Sequence, residues 1–515
     1  MDLSFEPLTP VSFLDRAAAA HGDRIAVVDG QRRFTYTQLH ERCRRLAGAL
    51  APLAGGRPVA VLAPNTHVLL ESHFGVPWAG VALVAINTRL AAAEVAHILE
   101  HSRAAVLVHD PAFDALVTEA VSGLADPPVR VRVGERYEEL LAGATPMAHT
   151  PADERTLLSI NYTSGTTGLP KGVMYHHRGL PAGARDGRPH RALAVGGAPV
   201  DAADVPLQWL VLPVGGHGGR RHARVPAEGG ARAGVAAHPG GGRHPPGGCA
   251  DRALDDRLRR DGGPAGAPGA RGHRWAPPTP AILRRMGELG FDVTHLYGLT
   301  ETFGPVMICD WRPEWNDLDP AEQARRKARQ GVGNMISCRA RVVGPDGADV
   351  PADGATIGEI ALRGNNLMLG YLRDPEATAA AVPDGWFRTG DLGVLHPDGY
   401  VELRDRSKDV IISGGENIAS VEVEQALADH PAVLEVAVVA APDERWGEVP
   451  VAYVTLHDGA SATAEELREH VRARLARFKA PKEVVFGPLP KTSTGKVQKY
   501  VLRRMAGQRT AGASG

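Results

Sequence analysis

Residues 162–172 read Tyr-Thr-Ser-Gly-Thr-Thr-Gly-Leu-Pro-Lys-Gly, and this stretch carries the strongest chemical signal in the chain. Its glycines let the backbone curl so that successive N–H groups point inward, and its hydroxyl groups add further donors. Lys171 supplies a fixed positive charge at the end of the stretch. Together these groups suit a polyphosphate, although a Walker A loop would continue with Ser or Thr after the lysine. A generic Ser/Thr/Gly loop is the alternative interpretation.

Toward the N-terminus, the spacing of apolar residues alternates between helical and strand periods. Helical spacing is shared by Leu39, Cys43, Leu46 and Leu50. Strands are predicted over residues 59–63, 81–86 and 105–108, and helices over residues 68–78 and 91–101. Such βαβ alternation predicts a parallel sheet covered by helices, which is the α/β fold class.

Toward the C-terminus, the same alternation returns on a smaller scale after residue 408. Ser420 is predicted to cap a helix that reaches about His430, and strands are predicted over residues 436–439 and 449–456. Another helix face is marked by Leu467, Val471 and Leu475. Residues 405–409 are charged and lack large apolar groups, which is typical of a linker. The sequence therefore predicts a large domain over residues 8–407 and a compact α+β domain over residues 408–515.

One long stretch, residues 180–275, differs from the rest. It contains no Ile, Phe, Tyr, Met, Lys, Asn, Ser or Thr, and Gly and Pro make up roughly a third of it, a level typical of low-complexity sequence. A disordered insertion is one interpretation. The other is a pair of compensating frame errors near Gly179 and Ala276 in a GC-rich gene, because most of the missing residue types have codons rich in A and T. Translation of the DNA in the other frames tests this hypothesis.

Composition limits the remaining possibilities. The chain has 515 residues, a net charge of −1 and 43% hydrophobic residues, so it is long enough for more than one core and lacks the basic excess of a nucleic-acid binder. Its four cysteines are far apart, and neither a disulfide framework nor a zinc site is expected. Four histidines of the anomalous stretch lack carboxylate or cysteine partners at ligand spacing, which argues against a metal cluster there. No export signal or membrane span is recognisable, so a soluble, cytoplasmic protein is expected.

The stretch at 162–172 resembles the signature of the acyl-adenylate-forming enzymes, which include acyl-CoA synthetases, luciferases and peptide-synthetase adenylation domains. The resemblance covers residues 8–179 and about 277–504, and four further strings match in the same order. It implies a large N-terminal α/β domain and a small mobile C-terminal α+β domain. It also implies that the ATP phosphates contact the residues Thr163, Ser164, Gly165, Thr166, Thr167 and Lys171.

The second matching string, residues 297–301, reads Tyr-Gly-Leu-Thr-Glu. The resemblance implies that Tyr297 stacks on adenine with Gly298 beside it, that Thr300 bonds the α-phosphate, and that Glu301 holds Mg²⁺. By itself, the string also fits an ordinary helix N-cap with an acidic residue in the first turn.

The third string, residues 386–391, ends in Asp391, whose two carboxylate oxygens are able to bind both hydroxyls of a ribose. The alternative is a turn aspartate after glycine. In the fourth string, residues 404–409, the resemblance makes Arg406 a ribose or phosphate contact and Lys408 the hinge between the domains. A solvated charged linker is compatible with both roles.

The hinge is followed by Gly414, Gly415 and Glu416. The resemblance implies that these residues form the face along which coenzyme A enters. In the fifth string, residues 490–496, Lys496 matches the lysine that reaches from the small domain into the active site during adenylation. Alone, this string fits a flexible polar loop.

The resemblance implies an acyl-CoA synthetase that uses ATP, Mg²⁺ and coenzyme A to activate a small-molecule carboxylic acid. Residues 311–315 and 323–330 resemble the branch that acts on short and medium-chain acids. The alternatives are an adenylating enzyme with another acceptor and an inactive, partly folded product of a frame-damaged gene. The acid and the oligomeric state stay open.

Overall fold

A computed structural model of the chain describes residues 4, 6–163, 170–179, 223–225, 236–239, 280–288, 291–334, 339–491 and 497–513. Five predicted site residues lie outside this set: Ser164, Gly165, Thr166, Thr167 and Lys496. Of the anomalous stretch 180–275, only two short strands are described. Both interpretations of that stretch therefore stay predictions.

Within the described residues the α-helices are α1 (Ser12–His21), α2 (Tyr36–Ala54), α3 (His67–Trp78), α4 (Ala92–Ser102), α5 (Asp114–Val121), α6 (Glu135–Gly143), α7 (Pro280–Glu288), α8 (Pro320–Lys327), α9 (Pro375–Ala381), α10 (Ser420–Ala428), α11 (Ala464–Arg472) and α12 (Lys499–Ala513). Short 3-10 helices span Pro111–Phe113, Thr300–Thr302, Pro313–Asp317 and Arg477–Lys479.

The strands are β1 (Ile25–Asp29), β2 (Arg32–Thr35), β3 (Val59–Leu62), β4 (Leu83–Ala85), β5 (Val106–His109), β6 (Val129–Arg132), β7 (Leu157–Tyr162), β8 (Gly172–His176), β9 (Ala223–Val225), β10 (Ala236–Pro239), β11 (Phe291–Thr294), β12 (Leu296–Leu299), β13 (Gly304–Ile308), β14 (Val332–Gly333), β15 (Arg339–Val343), β16 (Gly358–Arg363), β17 (Gly370–Tyr371), β18 (Phe387–Leu395), β19 (Val401–Arg406), β20 (Ile411–Ser413), β21 (Glu416–Ile418), β22 (Val433–Asp443), β23 (Gly447–Leu456) and β24 (Glu483–Phe486).

The largest sheet has the strand order β17-β8-β7-β4-β3-β5-β6, and its strands from β7 to β6 pair in parallel. Val59 and Val61 of β3 pack into one apolar core, whereas Ala60 and Leu62 pack into a second core on the opposite face. Helices therefore cover both faces of the sheet, as a buried parallel sheet requires. The predicted α/β class is confirmed.

Helix α2 shows how local sequence defines the elements that flank this sheet. Its N-cap Thr35 accepts a hydrogen bond from the Gln38 backbone in a capping box, and the helix ends at Gly55 with φ +54°. The residues predicted from helical spacing are all fully buried: Leu39, Cys43, Leu46 and Leu50. The predicted strands and helices around α2 are confirmed to within a few residues; the strand predicted over 81–86 is shortened to β4.

Two antiparallel sheets are formed by strands between residues 296 and 406, before the C-terminal part of the chain. One has the order β12-β13-β14 and the other β15-β16-β18-β19, and both contribute to one apolar core. Asp405 and Arg406 belong to β19, so these two residues are not part of a free linker. The register of β18 and β19 places Asp391 opposite Arg406.

The C-terminal part forms a separate mixed sheet of β20 to β24, with α10 and α11 packed on one face and α12 on the other. Leu467 and Val471 are buried on α11 as predicted, whereas Leu475 follows the helix end. The prediction that Ser420 caps α10 is wrong. The N-cap is Ala419, and the Ser420 hydroxyl instead bonds Asp405, since that carboxylate lies within reach.

Among the residues that the structure describes, no helix combines the length and the apolarity that a membrane crossing needs.

Candidate active site

The two ends of the predicted phosphate loop lie side by side. β7 leads into the loop and the antiparallel β8 leads out of it, with Tyr162 paired to Gly172. The Thr163 N–H donates to the Lys171 carbonyl at 3.0 Å. This pairing brings the described ends of the loop together at the carboxyl end of β7, and in α/β sheets ligands bind at the carboxyl ends of the parallel strands.

Lys171 and Glu301 are far apart in the sequence, but both contact the side chain of Tyr371. The Lys171 Nζ lies 4.8 Å from the centre of the Tyr371 ring, and the Tyr371 hydroxyl donates to Glu301 Oε1 at 2.9 Å. Burial, and then the Glu301 charge, raise the pKa of Tyr371, so this hydroxyl stays protonated as a donor. We call Lys171, Glu301 and Tyr371 the phosphate cluster.

The turn that carries Thr300 and Glu301 is held by backbone contacts. The Tyr175 hydroxyl donates to the Thr300 carbonyl, and the Met368 N–H donates to the Glu301 carbonyl at 2.9 Å. Phe303 closes the turn with φ +50°, a conformation that non-glycine residues adopt only where packing imposes it. Its ring packs against the Tyr175 ring at 4.2 Å between centroids, which fixes the Glu301 backbone.

A second group of predicted residues forms a buried cluster. The Tyr297 hydroxyl donates to Asp391 Oδ2 at 2.7 Å, and Arg406 Nε lies 3.2 Å from Asp391 Oδ1. Asp391 is 4% exposed, and burial together with the Asp391 charge raises the pKa of Tyr297. We call Tyr297, Asp391 and Arg406 the nucleoside cluster; it unites three of the matching strings.

Gly298 has a packing reason to be glycine. A Cβ at this position would lie 2.2 Å from the Gly304 carbonyl oxygen, because β12 and β13 approach each other closely at a register shift. Gly298 therefore permits the strand pairing that positions Tyr297. This packing role does not depend on a contact between Gly298 and a nucleotide.

Gly414 and Gly415 form the two-residue turn between β20 and β21. Their φ angles are +61° and +87°, as a tight hairpin turn of this kind requires. A Cβ at Gly414 would also lie 2.7 Å from the Trp446 ring. Glu416 follows as an exposed residue, and the carbonyl of Lys408 accepts a hydrogen bond from Arg503 at 3.2 Å.

Tyr371 and Tyr175 contact predicted site residues, and sequence reasoning did not single them out. Tyr371 reaches the phosphate cluster because β17 pairs with β8, from which it is almost 200 residues distant in the chain. No local pattern predicts such a pairing. The nearest recognisable pattern is Asp374-Pro375, which is typical of a helix start and begins α9. In the structure, Asp374 Oδ2 lies 3.7 Å from Lys171 Nζ.

The phosphate cluster offers a metal ion one carboxylate, that of Glu301, rather than a full set of protein ligands. Within the described ranges there is no group of three or more His, Cys, Asp or Glu residues able to hold an ion. Mg²⁺ is commonly bound by one or two carboxylates together with substrate phosphates, and the half-buried Glu301 fits that donor set.

Comparisons with known proteins identify the family to which the chain belongs. The AMP-binding enzyme family matches residues 14–213 and 274–372, and its C-terminal domain family matches residues 422–496. The chain is 42% identical to a 2-methylpropanoate–CoA ligase of Humulus lupulus, with 99% of this chain and 98% of the relative covered. It is 38% identical to a peroxisomal acetate/butyrate–CoA ligase of Arabidopsis thaliana, with 98% and 95% covered.

Among solved structures, an anthranilate CoA ligase in complex with anthranoyl-AMP has a TM-score of 0.77 at 23% identity, with 99% of this chain and all of that chain covered. At that identity the likeness establishes the fold: a large N-terminal α/β domain and a small C-terminal domain. With family matches over more than half of its length and relatives above 30% identity along nearly all of it, the chain belongs to the AMP-binding enzyme family of acyl-adenylate-forming enzymes.

Proposed function

We propose that this protein is an acyl-CoA synthetase, which joins a carboxylic acid to ATP as an acyl-adenylate and then transfers the acyl group to coenzyme A. The observation that carries the proposal is the nucleoside cluster, in which Tyr297, Asp391 and Arg406 converge from separate parts of the chain. The CoA ligases among its relatives support the same reaction.

Asp391 is suited to bind the ribose. A carboxylate has about four acceptor positions, so Asp391 is suited to accept ribose hydroxyls in addition to its contacts with Tyr297 and Arg406. Tyr297 then borders the adenine, with Gly298 beside it. Arg406 remains within reach of ribose or phosphate oxygens.

The triphosphate then extends toward the phosphate loop, residues 163–167, and Lys171. Glu301, together with the phosphate oxygens, would hold Mg²⁺, and its positive charge would offset the repulsion between the acid and ATP. Lys171 is half-exposed, with its side chain 50% accessible, so it is able to turn from the Tyr371 ring toward a phosphate.

In the first step, a carboxylate oxygen of the acid attacks the α-phosphorus, and the bond to pyrophosphate breaks. Thr300 and Lys496 are proposed to donate to the phosphoryl oxygens, on which charge builds in the transition state. In the second step, the thiol sulfur of coenzyme A attacks the acyl carbon, loses its proton and expels AMP. The acceptor travels along the Gly414, Gly415 and Glu416 hairpin.

The two steps require two arrangements of the domains. We place the boundary between residues 407 and 408, with Lys408 as the pivot, so that the large domain covers residues 8–407 and the small domain residues 408–515. Rotation at this point withdraws Lys496 and presents the glycine hairpin.

For the acid we propose a short aliphatic carboxylate, in the range of the acetate, butyrate and 2-methylpropanoate named for the relatives. For location we propose the cytoplasm, although two relatives from Arabidopsis thaliana are named as peroxisomal. Imaging of a tagged chain separates the two compartments.

The test is ATP–pyrophosphate exchange with a panel of carboxylic acids, followed by AMP release after coenzyme A is added. We expect exchange that depends on a short acid and thioester formation that depends on coenzyme A. Exchange without thioester formation would point to another acceptor. Absence of exchange with every acid would favour an inactive product, since the family match omits residues 214–273, inside the anomalous stretch.

A further inference from the structure

A buried ionic group connects β19 to the small domain. Asp405 is 2% exposed, and it accepts hydrogen bonds from both the N–H and the hydroxyl of the fully buried Ser420, the latter at 3.1 Å. Lys499 Nζ donates to the same Ser420 hydroxyl oxygen at 2.7 Å and lies 2.7 Å from Glu424 Oε1. We call Asp405, Ser420, Glu424 and Lys499 the joint cluster.

The joint cluster and the nucleoside cluster share one strand. Arg406 on β19 contacts Asp391, whereas its neighbour Asp405 contacts Ser420. Successive residues of a strand point to opposite faces, so β19 carries the nucleotide contact on one face and the small-domain contact on the other. The two clusters are therefore joined through adjacent residues of β19.

The charges in the joint cluster are tightly paired. Burial acts to lower the pKa of Lys499, but Glu424, Asp409 and Asp405 raise it overall, so the ammonium stays charged. Nearby, Arg503 Nη1 lies 2.5 Å from Asp409 Oδ1. Buried ion pairs often add little net stability, because both charges must lose their water. A defined geometry is the stronger reason to keep such a cluster.

From this geometry we propose that Lys499 is a positioning residue for adenylation, which holds the start of α12 against β19 through Ser420 and Asp405. The assignment rests on the proposed function, in which Lys496 acts in adenylation; Lys496 precedes Lys499 by three positions. Asp405 and Ser420 lie on opposite sides of residue 408. Rotation at a pivot there separates them, so the contact belongs to one domain arrangement, which we assign to the adenylating one.

The test compares the two half-reactions in the full-length protein. Lys499→Met is expected to slow ATP–pyrophosphate exchange by about tenfold or more, the size expected for loss of a positioning contact. Thioester formation from supplied acyl-adenylate and coenzyme A should stay within about twofold. The matched control is Lys479→Met, because Lys479 Nζ lies 2.6 Å from Glu422 on the same helix α10. It should leave both half-reactions unchanged.

Lys499→Met leaves Glu424 without its ammonium partner and is therefore able to disturb folding. Two further variants separate such a folding defect from the loss of positioning. The double variant Lys499→Met/Glu424→Gln removes both charges, and Asp405→Asn interrupts the link while it retains the Lys499–Glu424 pair. Both should reproduce the split between half-reactions. Equal loss of both half-reactions, or loss of neither, overturns the positioning role. A wild-type chain without acid-dependent exchange overturns the proposed function itself, and the two failures are thereby distinguished.

Discussion

The nucleoside cluster and the phosphate cluster are built in different ways, although both converge from distant parts of the chain. In the nucleoside cluster, the Asp391 side chain is only 5% accessible and is held by Tyr297 and Arg406. In the phosphate cluster, the Lys171 side chain is 50% accessible, and its contacts are a ring face and an ion pair at 3.7 Å.

Under the proposed function, this difference matches the chemistry of the two halves of a nucleotide. Ribose hydroxyls are neutral and need acceptors in fixed positions, which a buried, hydrogen-bonded carboxylate provides. A triphosphate arrives with several charges and with bound water and cations, so exposed and adjustable partners suit it better. An exposed ion pair contributes little to stability, and Lys171 therefore loses little when it leaves Asp374.

The largest effect is expected from Asp391→Asn. This change removes the charge that two donors share in a buried site, and it should lower kcat/KM for ATP by about 100-fold, equivalent to about 3 kcal/mol. Initial rates of pyrophosphate exchange at varied ATP concentration measure the loss. If KM and kcat for ATP stay at their wild-type values, Asp391 does not bind the nucleotide.

Tyr297→Phe tests the difference between the two clusters through its effect on the stability of the folded protein. It removes a hydroxyl that donates to Asp391 inside the buried cluster, so the free energy of unfolding should fall by about 2 kcal/mol. Denaturant titration of the purified protein measures this loss. An unchanged midpoint would mean that the nucleoside cluster is not preformed without ATP.

Low pH should reduce the stability of the folded protein through His177. This residue follows β8, and its ring nitrogen Nδ1 lies 2.8 Å from the Thr9 hydroxyl oxygen. Burial lowers the pKa of His177 to about 4, below its ordinary 6.5. The unfolded chain therefore binds more protons between these two values, and folded stability falls as the pH drops.

Between about pH 7 and pH 5.5 this single group should cost about 1.2 kcal/mol. His177→Asn should remove that share of the pH dependence in thermal melts recorded at both pH values. Equal acid sensitivity of the variant and the wild type would assign the effect to other groups.

The smallest effect is expected from Tyr371→Phe, the counterpart of Tyr297→Phe in the phosphate cluster. It keeps the ring under Lys171 but removes the donor to Glu301, so the exchange rate should fall by about fivefold, or about 1 kcal/mol. The unfolding midpoint should hardly move, because Glu301 is partly exposed. A loss of stability as large as that of Tyr297→Phe would erase the distinction between the two clusters.

The sequence by itself determined the α/β class and the helix faces, and it singled out the chemical groups proposed to bind a nucleotide, because apolar periodicity and short motifs are local properties. It located Tyr297, Asp391 and Arg406 individually, and the resemblance gave them roles. It misplaced the Ser420 hydroxyl, since a serine before a helical pattern fits a cap equally well.

Only the tertiary structure decided which groups touch. Tyr371 joins Lys171 to Glu301 through the pairing of β17 with β8, and Asp405 connects β19 to Ser420 and Lys499. Such contacts depend on strand order and on which face of a strand a side chain occupies. Both are set by packing between segments far apart in the chain, so no local pattern encodes them.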